Sequence, residues 1–570
     1  MKSANVSRRS FLELAAAASA AGLTLAGCTT TGDSTSSEGS STTDDTSTMG
    51  GELFTIIGTQ PNTLNMIQSA SNLDTYCFYL TQEMLFRPYD GVYEAEVVDS
   101  WEVSDDNLTY TYHLKETTWS DGTAITAADF RYYLIALLDP ANASSSASTL
   151  ISNYHFVNAE AFNNGECTAD EVGIEATDDY TLVLTLDRVM AEFDGTNITC
   201  YPLSESFVAE KGEALGGTPD DYMNSGPYVL TTWTYDAELI YDKSDTYLYA
   251  EDKFLVQQID FLHKSDDNSA ITMFEAGEAD CILDVSDEGY AELADYCTLY
   301  PGGAMRMLQF NVYGQGDDEK AAVLSNENFR LALSYAIDRD ACASAANSLY
   351  SGANRFLIDP ISGNSADSLF EDDYEVETVP MEGDTDAAAE YLAAALEELG
   401  YASVDELPEL TYLTFESDAY STLAEILVDQ WKQILGLTNI TIELQPVSDA
   451  VMSMVMYQYD IYYQSLSLTN SPIEFLNYWI TGGSVNDVQG SGNNLWSSEE
   501  YDAIVEEAAA TLDREERMAL CAQAEQLLLD GAPLIPVNSN IVPTALADNV
   551  SGFMYNAFDN AIELDYLTVA

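Results

Sequence analysis

Residues 101–140 read WEVSDDNLTYTYHLKETTWSDGTAITAADFRYYLIALLDP, a strand, a turn and a helix in one run. Tyr110-Thr-Tyr-His-Leu114 alternates outward and inward positions as a half-buried strand does. Trp119-Ser-Asp-Gly122 predicts a turn in which Gly122 takes the positive φ that residues with a Cβ avoid. Thr126 stands where it can cap a helix whose first turn carries Asp129. Phe130 to Leu138 supply the body of that helix, and Pro140 stops it. The tryptophans Trp101 and Trp119 are expected to anchor this unit by burying large ring areas.

The same two periods recur along the chain. Strands are expected at Phe54–Ile57, Tyr180–Leu186, Leu410–Phe415, Ile440–Pro446 and Tyr459–Ser465. Helices are expected at Leu73–Phe86, Asn328–Ala336, Asp386–Leu399, Ser421–Leu435, Ser498–Leu512 and Arg514–Leu529. Interleaved strands and helices make the protein α/β. The body runs from Glu52 to Ala570, too long for one hydrophobic core, so two or three lobes are expected. No internal repeat is visible.

Ahead of the body, Ser7-Arg8-Arg9-Ser10-Phe11-Leu12 resembles a twin-arginine export signal. The alanine-rich stretch Leu14 to Leu25 is too short to span a bilayer. It ends in Leu25-Ala26-Gly27-Cys28, which resembles a bacterial lipoprotein box. That resemblance implies a signal peptide over 1–27 and a lipidated Cys28 as membrane anchor on the extracytoplasmic face. The Ser-, Thr- and Asp-rich segment 28–51 buries too little apolar surface to fold and reads as a flexible tether.

Nineteen Lys and Arg stand against 96 Asp and Glu, a net charge of −77. Such a chain repels nucleic acid. At 46% hydrophobic and 11% aromatic it still has the composition of a folded protein. The acids are spread along the whole body, which suits adaptation to habitat better than one site for a cationic ligand. Beyond Cys28 there are seven cysteines, and the runs around Cys281 and Cys297 make them the most plausible disulfide pair. No Cys/His cluster suggests a metal and no motif suggests a cofactor. His113, His155 and His263 lie far apart, and no GxSxG elbow, P-loop or dinucleotide fingerprint is present. The chain does not read as an enzyme.

The 101–140 block closely resembles the family-5 extracytoplasmic solute-binding proteins of ABC transporters, the group of oligopeptide-, dipeptide- and nickel-binding proteins. The resemblance continues in order through Asn224-Ser-Gly226-Pro-Tyr228 to Trp233, Gly277-Glu-Ala-Asp280, Asn328-Phe-Arg330 to Asp338-Arg339, Glu500-Tyr501-Asp502, and Ala532-Pro533 to Pro536-Val537. It implies a two-lobed fold of the periplasmic-binding-protein type with a hinge, and a small α/β domain inserted in the first lobe. The implied boundaries are 52–84, 203–303 and 531–570 for lobe one, 85–202 for the insert and 304–530 for lobe two. Ligand would bind between the lobes and closure would bury it.

The resemblance also implies a site. Two strand edges would grip a peptide main chain, Ser69-Ala70-Ser71-Asn72 and Gln464-Ser465-Leu466-Ser467-Leu468, unless they are ordinary strand ends. Leu283 and Asp284 map to a cleft wall of lobe one, Arg306 to the crossing strand near the hinge, and Asn538 to the C-terminal cleft edge. Arg306 could meet a ligand carboxylate or an internal acid. The Asp that holds the peptide amine in relatives falls on Thr469. Their arginines just upstream fall on Met454 and Tyr463, and their aromatic wall on Val447. A free amine would then have to meet Asp74 or Asp284, or the ligand carries no such charge. The expected role is a monomeric, membrane-anchored binding protein that delivers oligopeptides to an ABC permease. A non-peptide ligand such as an oligosaccharide, or a ligand-sensing or chaperone-like role, are the alternatives.

Overall fold

The computed structural model describes residues 51–570 apart from 70–71, 90–91, 194, 366–367, 469–470, 488–492 and 557–560. The export signal, the lipid box at Cys28 and nearly all of the tether lie outside the described residues, as do Ser71 and Thr469. No helix of the described residues is long and apolar enough to cross a membrane.

One sheet runs through the whole body. Its order is Tyr228–Thr234, Glu238–Lys243, Gln258–His263, Leu53–Gly58, Cys281–Ile282, Leu534–Leu546, Cys297–Phe310, Ile461–Ser467, Leu410–Phe415 and Ile440–Gln445, with Tyr350–Gly352 added on Leu534–Leu546. Leu53–Gly58 runs parallel to Gln258–His263, and Leu410–Phe415 parallel to Ile440–Gln445. Two long antiparallel strands, Cys297–Phe310 and Leu534–Leu546, join the two ends of this sheet. Their ladder is interrupted between Pro301 and Met305. There Gly303 has φ +59°, and a Cβ on Gly302 would lie 2.0 Å from the Asn540 side chain. A break in the ladder at two glycines is where such a crossing bends most easily.

Packing follows the two ends. On one side, Phe54, Ile56, Tyr228, Tyr241 and Phe261 lie in one buried cluster. On the other, Leu308, Phe310, Tyr412, Trp431 and Tyr463 form a second, under the helices Glu327–Tyr335, Thr385–Leu399 and Asp418–Leu435. A third, with Met305, Met307, Phe475, Trp479 and Tyr501, covers the opposite face of the same strands.

The 101–140 run forms as its local chemistry dictates. Thr109–Leu114 sits in a four-stranded sheet with Val98–Val103, Thr181–Thr185 and Ile174–Asp178. Gly122 has φ +85°. Helix Ala127–Leu138 starts on a capping box in which the Thr126 N–H donates to Asp129 Oδ2 at 2.8 Å. The tryptophans part company. Trp119 is buried, whereas Trp101 is 40% exposed and touches Phe86 edge-on, ring centroids 5.3 Å apart. The four-stranded sheet does not close a core of its own. Tyr110, Tyr112 and Leu182 belong to the same cluster as Phe54 and Ile56.

Two other expectations are corrected. The helix expected over Leu73–Phe86 is Asn72–Thr81, because the chain then turns into the strand Phe86–Tyr89. Cys281 and Cys297 are free thiols. Cys281 pairs with Leu546 and Cys297 with Ala545, so they flank strand Leu534–Leu546 on opposite sides. Two strand spacings, about 10 Å, exceed the reach of a disulfide.

Candidate functional site

The lobe-two site is built on strand Ile461–Ser467. One edge of it pairs with Cys297–Phe310, placing Gln464 opposite Met307, Ser465 opposite Arg306, Leu466 opposite Met305 and Ser467 opposite Ala304. The other edge pairs with Leu410–Phe415 only at Ile461 and Tyr462. From Tyr463 to Ser467 no strand covers that edge among the described residues. The side chains of Ser465 and Ser467 are exposed, Leu466 is half-buried and Gln464 is buried. A small-residue strand with one open edge can accept another main chain.

Arg306 lies between this strand and the last one, opposite Ser465 on one side and Asn538 on the other. Directly opposed residues share a face of the sheet. The guanidinium carbon stacks 4.4 Å from the centre of the Tyr350 ring. Tyr463 and Tyr420 pack at 5.5 Å beside it, and the Tyr463 hydroxyl donates to Asn538 Oδ1 at 2.8 Å. Nε and Nη1 of Arg306 and Nδ2 of Asn538 are covered and have no hydrogen-bond partner. Burial alone would push the Arg306 pKa down, and the tyrosines outweigh it and hold the value above the ordinary range. At neutral pH those hydroxyls are uncharged, so no formal negative charge balances the guanidinium.

On lobe one the wall is acidic and aromatic. Asp284 follows strand Cys281–Ile282 with a left-handed φ of +49°. Its side chain reaches solvent, yet surrounding protein desolvates the carboxyl and raises its pKa, with Lys264 pulling it down. Accessible but crowded is the environment of a concavity. The Asp284 charge acts on Tyr76 and Tyr555, and Tyr555 packs 5.1 Å from Tyr300. Lys264 Nζ donates to the Asp284 carbonyl at 2.6 Å, which holds the bend.

The other expected residues take different positions. Asp74 is buried, and its carboxylate accepts from Asn62 N at 2.9 Å, from Ser69 Oγ at 2.8 Å and, more distantly, from Thr63 N. It ties down the turn before helix Asn72–Thr81 and is not open to a ligand amine. Of the lobe-one strand edge expected at Ser69–Asn72, Ser69 N closes a turn onto Asn65 O and Asn72 opens the helix, and 70–71 lie outside the described residues. Leu283 is buried in the core beside Gly58 and Phe261, so it does not line a cleft. Val447 is 54% exposed at the start of helix Val447–Val455. The tyrosines around Arg306 and Asp284 were not marked by spacing, since they come from six separate elements. A surface recess of about 400 Å3 beside Ser120 and Asp121 shares no residue with either set.

Known proteins share this fold. The chain is 27% identical over 457 residues to the "Oligopeptide-binding protein OppA" of Bacillus subtilis (strain 168), covering 79% of this chain and 80% of that one. It is 26% identical to the "Probable deoxycholate-binding periplasmic protein YgiS" of Escherichia coli (strain K12), covering 83% and 85%. The fold superposes on the substrate-binding domain of an oligopeptide ABC transporter from Bacillus anthracis str. Ames, with TM-score 0.70, 24% identity, 91% of this chain and 98% of that one. The model of the bacterial extracellular solute-binding proteins, family 5 Middle, matches residues 93–487, more than half of the chain, and the chain belongs to that family.

Proposed function

We propose that the protein captures oligopeptides between its lobes and hands them to the permease of an ABC importer, without acting as an enzyme. The observation that carries this is the open edge of strand Ile461–Ser467 beyond Tyr462, lined by Ser465 and Ser467. A peptide laid there would extend the sheet, and exposed small side chains leave its residues room. Arg306 and Asn538 stand one and two strands away, and Asp284 with its tyrosines forms the facing wall. With Asp74 occupied internally, Asp284 is the acid left to meet an amine, and Thr469 offers only a hydroxyl. The interrupted ladder at Pro301–Met305 serves as the hinge. The chain works as a monomer held by a lipid on Cys28 at the extracytoplasmic face, with 28–51 as its tether. No metal or cofactor enters.

Native mass spectrometry of protein freshly purified from its source tests the reading. Co-purified masses that fragment as peptides are expected. A non-peptide organic mass would move the function to the second reading, which the likeness to the relative named "Probable deoxycholate-binding periplasmic protein YgiS" favours. The anchor has its own test: Cys28→Ser should release the protein from the membrane fraction, and continued retention would overturn it.

A further inference from the structure

We infer that Arg306 is an anion-accepting subsite and that the ligand brings a carboxylate to it. This rests on the peptide-binding reading above and adds the ligand's charge. A buried guanidinium is costly unless an acid pairs with it or its donors are used. This chain holds 96 acids, yet the groups that act most on Arg306 are tyrosines, Tyr463, Tyr350 and Tyr420, of which Tyr420 also bonds to it and leaves Nε and Nη1 without partners. Asp287 acts on Tyr350 and is bonded to Ser348 Oγ at 2.8 Å. The rings hold the guanidinium in place without neutralising it. Asn538 adds a second covered donor, Nδ2, on the same face, since its Oδ1 is taken by Tyr463. Two donors of fixed orientation, one of them charged, match a carboxylate better than a neutral carbonyl. Ser465, exposed on the open strand edge, lies directly opposite Arg306, so a chain laid on that edge passes the subsite. The carboxylate comes either from the peptide's C-terminus or from an Asp or Glu side chain.

The test is retention of a random peptide library, four to eight residues long as a design choice, on the immobilised full chain. The library is supplied in free-acid and C-terminally amidated forms. The protein should enrich members with a carboxylate at least tenfold over amidated members lacking Asp and Glu. Enrichment of all free acids marks the C-terminus, and enrichment of acidic residues within amides marks a side chain. Arg306→Met should abolish the preference. Ser465→Asp, which supplies an internal carboxylate across the strand pair at an exposed position, should abolish it independently. Retention without regard to carboxylate would overturn the subsite and leave peptide binding standing. If no peptide is retained, the peptide reading falls, and N-acetylglycine against its amide judges the subsite. Thermal stabilisation by the acid alone, lost in Arg306→Met, supports it, and an equal response to both overturns it.

Discussion

Arg355 and Arg306 are both largely buried arginines of lobe two, and they are treated in opposite ways. Arg355 donates from Nη2 to Glu525 Oε2 at 2.6 Å and from Nη1 to the Tyr374 carbonyl at 2.9 Å. Glu525 in turn accepts from the backbone of Phe356 at 2.7 Å and Leu357 at 2.8 Å. Arg306 has tyrosines for neighbours, one of them, Tyr420, bonded to it, and two nitrogens without partners. A charge whose partner lies in the same chain is scaffold, since it is neutralised on folding. A charge left open beside an open strand edge is the feature on which the proposed subsite rests.

The largest expected effect breaks the first half of this contrast. Glu525→Ala strands the Arg355 charge in the core and should cost about 3–5 kcal/mol of unfolding free energy in urea titrations. A loss under about 1 kcal/mol would mean that Arg355 is not an internally satisfied group at all.

Glu192 stands between the two cases. It lies in the segment Met190–Phe193, where the Ala191 N–H donates to the Ala509 carbonyl at 2.9 Å and Glu192 bonds to Ser471. This joins the four-stranded unit to lobe two away from the ladder break at Pro301–Met305. Burial raises the Glu192 carboxyl to about 7, against lowering by Ser471 and Arg517; Glu474 raises it, Arg514 lowers it, and Cys521 adjoins it. Because the pKa in the contact is raised, the contact is at full strength below the ordinary glutamate range. It weakens as pH climbs through about 7, by at most about 3 kcal/mol. Lobe separation measured by paired fluorescent labels should therefore grow between pH 5 and 8, both design limits. Glu192→Gln should flatten that profile, and an unchanged profile in the variant would assign the pH response elsewhere.

A smaller effect tests the second half of the contrast. Arg306→Met removes a buried, unmatched cation and should raise the stability of the ligand-free protein by about 1–2 kcal/mol. A destabilised variant would show that the tyrosine cage already balances the charge. The smallest effect concerns how Asn538 is aimed. Tyr463→Phe deletes the bond to Oδ1 and should cost about 1 kcal/mol, with part of the carboxylate preference lost as the amide becomes free to turn. Full preference in that variant would take Asn538 out of the subsite.

Much of the scaffold was legible along the chain, for physical reasons that stay local. The turn at Gly122 needs a positive φ, the Thr126–Asp129 box closes within four residues, and the strand at Leu410–Phe415 has the composition of a central strand and forms over those residues. The resemblance assigned Ser465 to a strand edge, Arg306 to the crossing strand and Asn538 to the C-terminal cleft edge, and the structure sets the three on neighbouring strands of one sheet. What local pattern does not carry is which way a side chain's environment closes. Trp101 and Trp119 read alike, and only assembly leaves one exposed and buries the other. Asp74 and Asp284 were equal candidates until the turn at Asn62–Ser69 used the oxygens of the first and a left-handed bend presented the second. Arg306 is one of 19 cations in the sequence, and nothing beside it in the chain marks it as special. Its surroundings are set by Tyr350, Tyr420 and Tyr463, which come from three separate elements. Pairing of this kind is a long-range property, decided by which surfaces meet when the strands are laid side by side.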